Sequence, residues 1–347
     1  MITSRSVPWT PGKMRWLVAL LALLGLVPLA RAQDEGIVDL TPVNPRTGLS
    51  IAATVSRVHR LDPQSYLLLP GQPGTTPQTS RGTIQLDPAP ATSTQTLMAF
   101  KVRDVNFLFT SNGVDTYVTG AGTYEITRSI GALTVIGQRM ILDLRVGDTN
   151  ATQRFDSGLV AFTGSLDALS FDVTLRTAAT STTGVTTLRI KAGVASGLRP
   201  YAVATARSWY REGCYAPCTC PLVSTPLGGS YTLVPLGGST STNIAGDYAF
   251  VDIVFFTGLS TSASSVRVWS GAGIYNRDNG PMATPLPTQR LRASLTLRGP
   301  TTSVPVPVRY DSGWTTATQP WPMIAIAIAD HSFYCFNHVF DFVATPR

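Results

Sequence analysis

Charge is scarce in this chain: 14% of its 347 residues are Asp, Glu, Lys or Arg, and only three are histidine. Lysine is rarer still, since only Lys101 and Lys191 lie beyond the N-terminal segment, and arginine supplies nearly all the positive charge. No Lys/Arg cluster or basic stripe is present, which excludes the electrostatic footprint of a nucleic-acid binder. Cysteine is missing from the whole first half. No second long apolar run follows the one near the N-terminus, so no transmembrane segment is expected in the mature chain. Amphipathic helical periodicity is lacking too, which points to an all-β protein.

What stands at the N-terminus reads as a processing segment. Arg5, Lys13 and Arg15 precede the apolar run Trp16–Ala30, and Ala30-Arg31-Ala32 fits the small-x-small rule of signal peptidase. Residues 1–32 are therefore expected to be a signal peptide cleaved near Ala32, with a linker over 33–49. The mature protein is expected to be secreted, extracellular or periplasmic. No cysteine follows the cleavage site, so a lipid anchor there is excluded. The leader's charged residues (Arg5, Lys13, Arg15, Arg31) are all basic, and removing them brings the formal +7 down to about +3.

In an exported chain the four cysteines, Cys214, Cys218, Cys220 and Cys335, read first as disulfides. Cys218 and Cys220 are badly placed to pair with each other. Two residues apart on a strand means about 6.6 Å between Cα atoms and Cβ atoms pointing the same way. Cys335 is therefore expected to bond to one residue of the 214–220 cluster. The alternative is a zinc site completed by His331 or His338, although C-x3-C-x-C is not a usual zinc spacing. No metal or cofactor is assigned.

An internal repeat organises the rest. Val118–Ile126 (VTGAGTYEI) matches Trp269–Arg277 (WSGAGIYNR), Gly137–Val146 matches Thr288–Leu297, and Arg154–Gly158 (RFDSG) matches Arg309–Gly313 (RYDSG). Upstream, Arg81–Pro88 pairs with Gly228–Pro235 and Phe100–Phe107 with Tyr248–Phe255. Five blocks in one order mean a tandem duplication: a first β domain over 50–195, a linker over 196–204, and a second, cysteine-bearing β domain over 205–347. Each copy alternates apolar and polar residues, as in Leu291, Ala293, Leu295 and Leu297 against Arg290, Arg292, Ser294 and Thr296. Ile324, Ile326 and Ile328 alternate with alanines whose face is expected to meet another backbone. The Val-Pro alternation over 304–308 is expected at an edge, because proline cannot donate to a ladder. The fold class is all-β: a tandem duplication of an antiparallel β-sandwich or up-and-down β-barrel of about eight strands.

Five motifs bear on function. Asp156 and Asp311, each followed by Ser-Gly (Gly158, Gly313), resemble the paired loops of two-lobed aspartic proteases for three residues only. Those loops lie early in their lobes, whereas Asp311 is close to the C-terminus. Their expected role is a strand end and turn needed by both copies. Gly120, Gly122 and Tyr124, matched by Gly271, Gly273 and Tyr275, look like a phosphate loop but have strand-like flanks instead of a helix. They are expected to mark close backbone approach. Asp330, His331 and Ser332 are mere neighbours, and a triad is assembled in space. An Asn-Gly hairpin turn accounts for Asn276–Gly280 better than calcium binding does. Trp314 and Trp321, in a Thr/Pro-rich connection where copy one has SGLVAFTGSLD, are the preferred binding residues, offering flat faces to a glycan or an envelope surface component. The structural alternative is that both cap a barrel end. The expected function is that of an exported noncatalytic binding or structural protein. A hydrolase using Asp156 and Asp311, or a carrier of a small apolar ligand, are the alternatives.

Overall fold

The computed structural model describes residues 56–347 apart from 72–77, 91, 95, 130–134, 150, 166–169, 180–183, 216–217, 238–245, 259–265, 279–285, 299–305 and 332–334. The expected leader, the linker at 33–49, Ser332, Gly280 and the first two residues of the Val-Pro alternation, Val304 and Pro305, lie outside these residues. Among the described residues no helix is long and apolar enough to cross a membrane.

Each copy forms one antiparallel sheet that closes on itself. In the first, β1 (Arg57–Leu61), β3 (Gln78–Pro88), β4 (Leu97–Ser111), β5 (Val114–Arg128), β6 (Val135–Val146), β7 (Thr152–Asp156), β9 (Ser170–Thr177) and β10 (Thr187–Val194) succeed one another, and β10 pairs back onto β1. The short β2 (Tyr66–Leu68) adds to β10, and β8 (Gly164–Ser165) to β9. In the second, the order is β13 (Leu222–Pro235), β14 (Gly246–Thr257), β15 (Arg267–Asp278), β16 (Thr288–Arg298), β17 (Val308–Asp311), β19 (Ile324–Ala329) and β20 (Phe336–Pro346). Its eighth position is shared by β11 (Arg199–Val203) and β12 (Trp209–Cys214), separated by a 3-10 turn at Thr205–Arg207 and each paired with both β13 and β20. Both copies are thus eight-position up-and-down barrels. Arg199–Val203, in the stretch assigned to a linker, is a strand of the second barrel.

The two-residue periodicity sorts side chains between the barrel interior and its outside. Met140, Leu142 and Leu144 of β6 and Leu291, Ala293 and Leu295 of β16 are buried inside. Large aromatics complete the filling: Phe107, Tyr124, Phe155 and Phe171 in the first barrel, and Tyr201, Tyr231, Phe250, Phe255 and Phe340 in the second. An eight-stranded barrel is just wide enough for such side chains to fill it. The apolar interior and polar exterior are the inverse of a membrane barrel. One expectation is corrected. Ile324, Ile326 and Ile328 point into the core, while Ala327 on the opposite face is exposed. Val308 opens β17 and pairs with Leu295 of β16, while β17 meets β19 at Asp311 and Ala329.

The barrels meet along the β3–β5 side of the first and the β13–β15 side of the second. Leu108 and Tyr117 pack with Ala249, Val251 and Ile274 in a third apolar cluster that belongs to neither interior. Hydrogen bonds surround it. The Asn106 side chain donates to the Gly273 carbonyl, and Tyr117 donates to Asn106 Oδ1 at 2.7 Å. Arg309 reaches from β17 to the Arg145 carbonyl at 3.0 Å, and Arg145 donates to the Pro307 carbonyl at 2.8 Å.

Candidate functional site

Asp156 ends β7 and Asp311 ends β17, the strand end expected of the Asp-Ser-Gly motif, and pairing with the same neighbouring strand resumes beyond it. Beyond β17, β18 (Thr315–Thr316) pairs again with β16, but with the register slipped by one residue; in copy one, Val160 pairs with Gln138 with the same slip. The motif is a β-bulge, and Gly158 (φ 64°) and Gly313 (φ 61°) supply its left-handed residue. The serine replaces a ladder partner: Ser157 Oγ accepts from Met140 N–H at 2.8 Å, and Ser312 Oγ from Leu291 N–H at 3.0 Å. The aspartate is held bidentately by the arginine across the ladder. Arg139 donates to Asp156 at 3.1 and 2.6 Å, and Arg290 to Asp311 at 3.0 and 2.5 Å. Each aspartate also accepts from the glycine N–H of its own motif at 2.8 Å.

The electrostatics follow from that pairing. The Arg139 hydrogen bond holds the Asp156 carboxyl below the usual carboxylate range against a push from burial. Burial pushes the Asp311 carboxyl up, but Arg290, the Gly313 N–H and Arg292 together outweigh it, and it too is lowered. A proteolytic pair needs two carboxylates sharing a proton, one of them raised. Here each is lowered and bound to an arginine of its own barrel.

The glycine motif has an equally mechanical basis. A Cβ on Gly122 would lie 2.0 Å from the Ile141 carbonyl oxygen, and one on Gly271 1.9 Å from that of Ser294, with Gly120 (2.1 Å) and Gly273 (2.7 Å) similarly crowded. Tyr124 and Tyr275 point inward and each donates to the facing glutamine, Gln138 or Gln289, at 2.8 Å. The cysteines form Cys218–Cys335 and Cys214–Cys220. The first is the bond expected of Cys335, and with all four oxidised no thiolate remains for zinc. Asp330 pairs with His338 at 2.8 Å, not with its neighbour His331.

The two tryptophans part company. Trp321 is half-buried on the second barrel's core, with its ring 5.1 Å from that of Tyr248 and the Arg277 guanidinium 5.7 Å from its centroid. Trp314, set immediately after the bulge glycine, is 54% exposed. It stands where two clefts of about 470 and 420 Å³ abut along the junction of the barrels, and Asp115 of the first barrel also lines both. The larger cleft is walled by Arg290, Arg292, Arg309 and Asp311 from the second barrel and by Tyr117 and Asp148 from the first. Arg292 and Asp115 bridge the barrels at 2.7 Å. Burial pushes the Asp115 carboxyl up, but hydrogen bonds from Thr110 and Arg292 and the Arg292 charge hold it lowered. The smaller cleft is walled by Arg81, Asp247, Asn276 and Arg277.

Sequence reading placed Arg292 on a solvent face, whereas the first barrel covers it and leaves it 6% exposed. It also missed Asp115, Arg309 and Arg277. One signal was present: in the aligned repeat Arg292 replaces Ile141, just as Trp314 replaces Leu159. Comparison with protein-family models, curated proteins and solved structures found no match to this chain.

Proposed function

We propose that this is an exported, noncatalytic binding protein of the cell envelope or extracellular space, and that it takes a glycan or another envelope surface component at Trp314 in the inter-barrel cleft. The observation that carries the reading is an exposed indole standing between two polar clefts, in a chain whose other large aromatics mostly fill barrel cores. A noncatalytic role is supported by the engagement of Asp156 and Asp311 in arginine pairs. Barrel interiors filled by side chains count against a carrier of apolar ligands. Export is supported by the leader-like N-terminus together with two disulfides, which belong to an oxidising compartment.

The test is co-sedimentation of the purified protein with insoluble envelope and extracellular-polysaccharide fractions. Trp314→Ala is expected to lose retention at least tenfold, while Trp209→Ala, a partly exposed tryptophan on β12, keeps it. Equal retention of both variants overturns the assignment of the cleft. The mass of the exported protein, starting near Gln33 and lower by four hydrogen atoms for two disulfides, checks the cellular part of the reading.

A further inference from the structure

We infer that the ligand of the cleft is a neutral oligosaccharide held across two subsites, one on each side of Trp314, with one such site per chain. The inference rests on the reading of the cleft as a binding site and narrows it to a chemical class.

Charge decides the class first. The larger cleft sets three arginines against four aspartates and the smaller sets two against three, with Asp115 counted in each. Neither cleft holds the surplus of positive charge that a phosphate, sulfate or uronate needs, and an added anion would face carboxylates on the same walls. A cation would meet guanidinium groups interleaved along the same walls. An uncharged polyol suits both kinds of group, because each hydroxyl donates one hydrogen bond and accepts others. It donates to carboxylates and accepts from guanidinium N–H.

Residues lining both clefts also carry buried polar atoms without a hydrogen-bond partner. Arg292 and Arg277 are each 6% exposed, and Arg292 Nη1 and Arg277 Nε are buried without a hydrogen-bond partner. Asn276 Oδ1 beside Arg277 is in the same condition. Native structures satisfy most buried polar groups, so each exception calls for an explanation, and a ligand is one. Arginine, asparagine and aspartate side chains divided between two abutting clefts match a ligand with hydroxyls along its length. The indole of Trp314 between them offers an apolar face for the C–H side of a sugar ring. Volumes of about 470 and 420 Å³ lie within the range of about 300–1,000 Å³ usual for small-molecule sites. Copy one has Leu159 and Ile141 where copy two has Trp314 and Arg292, so the duplication does not duplicate the site.

Isothermal titration calorimetry tests this on the mature protein, with neutral gluco-, manno-, xylo- and N-acetylchito-saccharides of one to six units and with oligogalacturonate as the charged probe. Expected are one site per chain, affinity rising at least tenfold from monosaccharide to trisaccharide for the preferred series, and no tighter binding of oligogalacturonate. Trp314→Ala is expected to cost at least tenfold, and Leu159→Ala, exposed at the matching position of the first barrel, less than twofold. Tighter binding of the charged probe, two equal sites per chain, or no response to any neutral series overturns the inference. Envelope retention separates the two levels. Retention that depends on Trp314 but survives periodate cleavage of the fraction's vicinal diols leaves the cleft as the site and removes the saccharide. Retention indifferent to Trp314 removes both.

Discussion

Replacing Asp104 by asparagine should stabilise the protein at neutral pH and leave it unchanged in mild acid. Asp104 occupies a bulge in β4, where the pairing with β5 slips between Val102 and Val105, and its backbone is left-handed at φ 54°. Asp252 occupies the matching bulge in β14 at φ 52°. The inter-barrel packing brings Asp87, Asp104 and Asp252 around one guanidinium: Arg103 lies 2.9 Å from Asp87, 3.3 Å from Asp252 and 3.7 Å from Asp104. Burial pushes the Asp104 carboxyl up to about 6, with Asp252 and Asp87 adding to the rise and Arg103 opposing it.

The sign follows from linkage. Between its ordinary 3.8 and about 6, Asp104 binds more protons in the folded state than in the unfolded one, so stability falls as pH rises through that window. Above pH 6 the full cost is present, about 3 kcal/mol for a gap of that size. Asparagine removes the charge and tolerates the left-handed backbone as aspartate does. Asp104→Asn should therefore raise Tm at pH 7.5 by about 6 °C, at about 2 °C per kcal/mol for a chain of this length. At pH 4 the two proteins should melt together. Scanning calorimetry at pH 4, 5, 6 and 7.5 measures this directly. A variant that melts lower at pH 7.5 would mean that the Arg103 attraction exceeds the desolvation cost, and a gain independent of pH would mean that Asp104 does not titrate in this window; either refutes the reasoning.

The bulge aspartates should behave oppositely. Asp311→Asn loses a charge-assisted bidentate pair, at about 2 kcal/mol. Because the Asp311 carboxyl is lowered, that contribution is present above 3.8 and lost as pH falls through the lower folded value, so acid titrations of urea unfolding should show variant and wild type converging. Removing Cys218–Cys335, which closes a separation of 117 residues, should cost about 5 kcal/mol, against about 2 kcal/mol for Cys214–Cys220 with its separation of 6; equilibrium unfolding of the two double-alanine variants compares them. Gly122→Ala forces a Cβ to 2.0 Å from the Ile141 oxygen and should lower stability by about 3 kcal/mol or more. Gly147→Ala, with φ +65° and open space around it, should cost only the left-handed backbone, about 1 kcal/mol, in the same denaturant assay.

Local patterning made much of the barrel legible, because the alternation of Met140, Leu142 and Leu144 reports burial on one face of a strand wherever the strand sits. Repetition added the pairing of motifs between copies, and strand geometry excluded Cys218–Cys220. Barrel closure was not legible. It depends on β10 meeting β1 and on β20 meeting β11 and β12, long-range pairings that no local pattern encodes. The Asp-Ser-Gly motif was legible as something both copies need, but a bulge and a turn use the same residues, and only the renewed pairing of Thr315 and Thr316 with β16 separates them. Hardest of all was the junction between barrels, since Ala249, Val251 and Ile274 there do not differ in kind from residues facing a barrel interior.

That difficulty indicates where function is written in a duplicated chain. Residues kept in both copies, such as the Tyr-Gln pairs, the crowded glycines and the Arg-Asp bulges, serve the barrel each copy must build, and their recurrence is evidence of architecture. Residues that differ at matching positions are free of that duty. Arg292 in place of Ile141 would be a poor choice on a solvated strand face, but the first barrel covers it and supplies Asp115 as its partner. Trp314 in place of Leu159 puts a large aromatic beside the same junction. Both changes fall where the barrels meet and nowhere that a single barrel would need them, so the cleft they line is a property of the pair.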